Sequence, residues 1–337
     1  MHFNQRWHLW LCLFGCMAAA LVSLHGCGGD DATDAPAESA DVGGGDGDMT
    51  TTEDSDGMTD AESTGPNLEG ELPYETLSAY AFFTGPMVEL RPNVGVIPYT
   101  VAAPLWSDHA EKGRFVVLPP GTQVVATEND GWQWPLGTIF IKTFFFSIDR
   151  RQPDGAARII ETRLLRLEEQ GWTSTIYVWN AEQTEATLTK LGERVNLSVI
   201  DAHGEEAEQL YLVPNTEECK SCHEVDDQIQ TLGVTTPQLN RTVELEDGRS
   251  VNQLAWWVEQ GWLSGLPEEA ERMALARPFD ESYPLEARAR AYLHGNCGHC
   301  HREGGGGGRS GLRLVWWETR DARLGICKNP VAAGAGS

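Results

Sequence analysis

The chain has 337 residues, with 50 Asp and Glu against 25 Lys and Arg, a formal net charge of −25 and 41% apolar residues. That is enough chain for two domains and a sizeable core, and the acidic balance excludes nucleic-acid binding, which needs Lys and Arg to neutralise phosphates. The excess is uneven: twelve Asp or Glu lie between Asp30 and Glu62, and no Lys or Arg occurs between Arg6 and Arg91.

The first residues read as an export signal. Arg6 gives a weakly positive start, and residues 9–23 (LWLCLFGCMAAALVS) form an apolar run that is short for a membrane span but right for a signal-peptide core. The run ends in Leu24-His25-Gly26-Cys27, which resembles the lipobox of bacterial lipoproteins and makes Cys27 the expected lipidation site. Leu13-Phe14-Gly15-Cys16 is a rival match that leaves too short an apolar core, and a secreted, non-lipidated chain is the other reading of residues 1–27. Residues 28–72 are Gly, Asp, Thr, Ser and Ala with almost no large apolar side chain, so they are expected to be an acidic disordered tether.

Residues 73–214 read as a β-domain. Stretches 115–118, 123–127, 138–148, 158–167, 173–179 and 194–200 are rich in Val, Ile, Phe, Tyr, Trp and Thr, and turn signals such as Pro119-Pro120-Gly121 and Pro153-Asp154-Gly155 separate them. Short strands at this spacing, with no helix-length crossover, predict an all-β sandwich or jelly-roll-like domain. After Pro214 helices are expected instead. Asn215 with Glu218 three positions later resembles a capping box. Residues 251–260 (VNQLAWWVEQ) read as an amphipathic helix stopped by Gly261, 268–276 as another, and 284–294 (PLEARARAYLH) as the clearest, opened by Pro284.

Two short motifs carry the chemistry. Cys219, Cys222 and His223 stand in NTEECKSCHEV, and Cys297, Cys300 and His301 in HGNCGHCHREGG. A four-cysteine zinc centre usually has its pairs about 15 to 20 residues apart, whereas Cys222 and Cys297 are 75 positions apart, and zinc gives no reason for a His after each pair. A thioredoxin-like redox pair lacks its βα context here. As a site of covalent haem every residue has a use: two thiols add to the two vinyl groups, and the adjacent His binds the iron. The predicted cofactors are therefore two haem c, held by Cys219, Cys222, Cys297 and Cys300, with His223 and His301 as proximal iron ligands.

On those motifs, and on LPPGTQVV, WPLGTIFIKTFFF, TPQLNR, NQLAWWVEQGWLSG and CGHCHREGG, the chain from about residue 73 resembles a bacterial family of exported di-haem c-type cytochromes with an N-terminal β-domain. The resemblance implies a two-domain protein, in which the β-domain is followed by a mainly α-helical cytochrome c-like region. A first haem region would span 215–283 and a second, incomplete one 284–337. It implies haem binding and single-electron transfer, with periplasmic redox partner proteins expected, while the lipobox-like end at Cys27 adds a membrane tie through a lipid anchor. The alternatives are a di-haem oxidoreductase of peroxidase type, an electron-accepting subunit of a periplasmic dehydrogenase, or a β-domain that binds carbohydrate or a partner.

The distal side decides between these readings, because a second protein ligand gives an electron carrier and an open position permits small-molecule chemistry. Met273, 50 residues after His223, is the candidate distal ligand, with His294 and His299 as alternatives. Only 36 residues follow His301, and they contain neither Met nor His, so the second region reads as C-terminally truncated. Gly304 to Gly308 reads as a flexible connection or a close backbone approach to a ring edge. Trp256, Trp257, Trp262, Trp316 and Trp317 read as packing residues. Arg241 reads as a partner for a haem propionate or as a surface charge.

Overall fold

The computed structural model describes residues 65–127 and 131–327, which belong to one compact unit. The export signal, Cys27 and most of the acidic stretch lie outside the described residues. At the centre is a six-stranded antiparallel meander: β1 (Val96–Pro98), β2 (Glu111–Val117), β3 (Ile139–Ser147), β4 (Ala157–Glu168), β5 (Gly171–Trp179) and β6 (Ala186–Thr189), each paired with the next. β7 (Glu193–Ile200) and β8 (Glu206–Val213) form a separate antiparallel hairpin.

Alternation along the strands divides the residues between two faces. One face sets Phe115, Val117, Ile139, Ile141, Leu164, Tyr177 and Trp179 against the N-terminal segment that carries Leu77, Tyr80 and Phe82. The other face has two apolar ends. Val116 and Phe140 pack with Leu239, Leu254 and Trp257 at one end. Phe144, Phe146, Ile160 and Ile176 pack with Leu197, Val199, Tyr211 and Val213 of the hairpin at the other. Burying a large side chain in such a core contributes roughly 1.5–3 kcal/mol.

The expected sandwich or jelly roll followed by a helical cytochrome c-like region is not what forms. The described residues are mostly strand, and the α-helices are short: α1 (Lys220–His223), α2 (Thr236–Leu239), α3 (Gln253–Glu259), α4 (Leu285–Asn296) and α5 (Asp321–Leu324). Around them lie the two-residue pairing of Glu224–Val225 with Gln228–Ile229 and the hairpin of Thr242–Glu244 with Ser250–Asn252. The physical reason is punctuation. Gly233, Pro237, Gly248, Gly261, Gly265, Pro267 and Pro278 cut the segment into pieces too short to sustain helix cooperatively. The predicted helix 268–276 shrinks to a single 3-10 turn, Glu269–Glu271, followed by extended chain.

Nor is the C-terminal part a separate body. Leu263–Ser264 pairs in parallel with Val124–Val125. The buried amides of Gln238 and Gln253 bridge to the loop after β1: Ala103 N–H donates to Gln238 Oε1 at 2.8 Å, and Thr100 N–H to Gln253 Oε1 at 2.8 Å. A buried amide with both ends satisfied ties these segments into one core.

Candidate functional site

Each Cys-x-x-Cys-His stretch winds into one helical turn. His223 N–H donates to Cys219 O at 3.1 Å, and His301 N–H to Cys297 O at 2.8 Å. Positions i, i+3 and i+4 share a side of a helical turn, so each turn gathers its two thiols and its imidazole on one side. The turn of the first motif is prepared by a reciprocal capping box: Glu218 N–H donates to Asn215 Oδ1 at 2.9 Å, and Asn215 N–H to Glu218 Oε2 at 2.8 Å. The second motif begins where α4 ends, with Cys297 N–H donating to Leu293 O at 2.8 Å.

The fold lays the two motifs against each other. Cys300 Sγ lies 3.5 Å from Ser221 O, Asp226 N–H donates to Gly304 O at 3.1 Å, and Val225 bridges to Gly305. The glycine run serves this contact. At Gly304, with φ of +72°, a Cβ would collide with the Asp226 carboxylate, and at Gly307 a Cβ would stand 3.0 Å from the His301 ring. Gly304 needs glycine for its positive φ, and Gly307 leaves room for the His301 ring that a Cβ would crowd.

Both motif imidazoles have their Nδ1 occupied. His223 Nδ1 lies 2.8 Å from Gln230 O, an acceptor, so it carries the proton. His301 Nδ1 lies 3.1 Å from Ser310 Oγ, whose own hydrogen goes to Gly307 O at 2.7 Å, so here too Nδ1 donates. Each ring is thus held as the tautomer whose Nε2 lone pair is free for a metal, the arrangement that orients ligating histidines. Burial, and after it the charge of Lys142, pushes His223 down to about 4, so it is neutral at physiological pH.

The four motif cysteines are unpaired thiols and half-buried. Burial raises Cys219, and burial with neighbouring Cys222 and Cys297 raises Cys300. That is the opposite of the lowered thiol of a redox-reactive pair. Among the described residues no three His, Cys, Asp or Glu converge as a closed metal centre requires. A haem asks less of the chain, since the porphyrin supplies four nitrogens and the protein two thiols and an imidazole. The donor set present, with its Nε2 atoms free, fits that group.

The other candidates fare unequally. Met273 is 48% exposed after the 3-10 turn, and only its backbone carbonyl is held, by Asn240 Nδ2 at 3.2 Å. His294 has a buried Nδ1 without a partner, packs edge-on to Trp317 at 6.0 Å, and is pushed down to about 4 by burial, with Arg302 next in effect. His299 is half-buried, and its pKa is lowered by burial and then by Lys142 and His301. Trp257 is fully buried in the core, and Trp256 packs on Trp262 at 5.1 Å.

One group of residues escaped the sequence reading. Arg114 of β2 lies directly opposite Lys142 of β3, which lies opposite Arg163 of β4. These three cations therefore form a row across the sheet face on which Cys219 packs with Phe144 and Ile176. Their signal was a basic residue at one inward position of each apolar strand, in KGRFVV, IFIKTFFF and IIETRLLR. No family model, curated protein or solved structure matches this chain.

Proposed function

We propose that the protein is a di-haem c-type electron carrier, with one haem joined to Cys219 and Cys222 and ligated by His223, and a second joined to Cys297 and Cys300 and ligated by His301. The carrying observation is that both motifs present two thiols and an Nδ1-anchored imidazole on one helical turn. The haems would supply iron that cycles between two oxidation states one electron apart. The chain's own share is to hold each Nε2 toward the metal, through Gln230 O and Ser310 Oγ, and to bring the motifs together so that an electron has a short path between them. Of the distal candidates, half-buried His294 keeps a buried, unpartnered ring nitrogen whereas Met273 faces solvent, which favours His294. Export and anchoring through Cys27 belong to the same reading, with periplasmic proteins as donor and acceptor.

The test is haem stoichiometry. The full chain is expressed in a host with cytochrome c maturation, and intact mass is combined with a pyridine haemochrome assay. Two covalent haems are expected. Bound zinc with no haem would refute the proposal.

A further inference from the structure

An acidic chain with 50 carboxylates and 25 basic residues should have little trouble pairing its interior cations with carboxylates, yet one set lies mostly against carbonyl oxygens and a ring instead. On the inner face of the meander, Arg114, Lys142 and Arg163 stand side by side on three neighbouring strands. Lys112 stands two positions before Arg114 on the same face, opposite Phe144. The carboxylate among them, Glu161, is buried and already engaged: it takes Arg163 through both oxygens, at 2.9 and 2.5 Å, and the Tyr211 hydroxyl at 2.5 Å. Lys112 donates to the carbonyls of Leu105 and Ala110 at 2.8 and 2.9 Å. Arg114 reaches the carbonyl of Lys112 at 3.3 Å. Lys142 lies over the Phe144 ring, 5.4 Å from its centre, and makes no ion pair among the described residues.

The row has a direction. It starts at Arg163, which lies opposite Ile176 in the cluster against which Cys219 packs, and passes Lys142, opposite Arg163 on β3. It continues to Arg114, whose carbonyl accepts from Tyr99 N–H, and two residues further along that segment Val101 O accepts from the half-buried side chain of Arg241, which keeps its Nε unpartnered. Two strand spacings, about 10 Å, separate the thiol end from Arg114. A haem joined by thioethers at one edge carries its two carboxylates at the opposite edge. Half-buried cations that lack a counter-charge are costly unless an anion meets them.

We propose that Lys142, Arg114 and Arg241 form the seat for the two carboxylates of the haem joined to the first motif, so that the β-sheet, and not a helical shell, orients that ring and sets its potential. This rests on the di-haem reading. The ligand class is a porphyrin dicarboxylate, and Arg114 and Arg241 offer the planar donor forks that carboxylates match. Cations held beside the ring stabilise the reduced state, in which the iron carries one positive charge fewer.

The test uses the full, matured chain. Intact mass first establishes two covalent haems; a wild-type chain without them defeats the di-haem reading and this inference together. Spectroelectrochemical titration of Lys142→Met and of Arg114→Leu should then lower one of the two midpoint potentials. That potential should also become pH-dependent, because its carboxylates would lose the cations that hold them ionised. The second potential should stay in place, as should both in Lys142→Arg and in Arg151→Gln, whose cation is exposed and paired to Asp149. Two attached haems with unmoved potentials in Lys142→Met and Arg114→Leu would overturn the carboxylate seat and leave the haem reading standing. Should these variants fail to accumulate, redox-difference infrared spectra of the wild-type protein loaded with carboxyl-labelled haem decide. One haem must keep its carboxylates ionised at a pH where ordinary carboxyls are protonated, and ordinary titration of both haems would equally overturn the proposal.

Discussion

At the scale of single residues, what distinguishes the two motifs from chance cysteines is the second bond of each imidazole. His301 depends on a side chain for it, Ser310, whereas His223 depends on a backbone carbonyl, Gln230 O, that no substitution removes. Under the di-haem proposal, Ser310→Ala should therefore weaken the hold of His301 on its iron by about tenfold, as the loss of such outer partners does. The imidazole concentration that displaces one haem ligand, followed optically, measures this, and the other haem should be unaffected. The cysteines act as pairs. In Cys219→Ala/Cys222→Ala the mass should fall to that of one covalent haem, and retention of two would show that the first motif is not an attachment site. Glu161 has a purely structural duty, since its carboxylate holds both Arg163 and Tyr211 in the interior. Glu161→Leu leaves Arg163 buried beside Lys142 without compensation and should cost about 3–5 kcal/mol in urea unfolding.

At the scale of elements, α3 shows how a short helix is held in place. Asn252 caps it, its Oδ1 accepting from Leu254 and Ala255 N–H at 3.0 and 3.1 Å, and Trp257 anchors it to β2 and β3 through the core shared with Val116 and Phe140. Asn252→Ala should cost about 1 kcal/mol. Trp257→Ala, which empties a fully buried site, should cost about 3–5 kcal/mol. Denaturant midpoints at constant slope check both. A cap effect larger than the core effect would mean that α3 is held by its end and not by its face. The same logic explains the failure of the helix expected at 268–276. It has neither a side-chain cap nor a buried apolar stripe at helical spacing, since Met273 is exposed and the buried Leu275 and Ala276 are adjacent in extended chain.

At the scale of the whole molecule, burial of basic groups makes stability depend on pH. His223 and His294 both lie at about 4 in the folded chain, below the ordinary 6.5. The unfolded chain therefore binds more protons than the folded one between those values, and stability must fall as pH drops through that window. Lys112 acts the same way higher up. Burial, then Arg114 and Arg163, lowers it from 10.5 to about 7, against the weaker opposing pull of Glu111 and Asp108. The folded chain again holds fewer protons, so stability should rise with pH between about 7 and 10.5. In the haem-free chain, urea midpoints should climb from mildly acid to mildly alkaline pH, and Lys112→Met should flatten the upper part of that climb. A midpoint that falls between pH 7 and 9 would contradict the burial of Lys112.

Four of the six meander strands, β2 to β5, were legible because each holds a run of β-branched and aromatic side chains bounded by turns, whereas β1 and β6, of three and four residues, were too short to show a pattern. Expected stretches 138–148, 158–167 and 173–179 lie on β3, β4 and β5 almost end to end. The two motifs stand in the sequence itself, since Cys-x-x-Cys-His is a local pattern of five residues, and their haem chemistry is the proposal. β8 was missed because it opens with Glu206, Ala207 and Glu208, and charged residues mask a strand whose inner face is decided by its partner β7. The helical region was misjudged because the motifs resemble those of helical cytochromes, and a motif specifies one turn, not the packing around it. What local sequence cannot contain is long-range register: that Arg114, Lys142 and Arg163 fall in one row, that Ser310 reaches His301, and that a separation of 79 positions still puts Cys300 against Ser221. Those contacts depend on which strands neighbour each other and which faces they bury, and burial is settled by the whole chain at once.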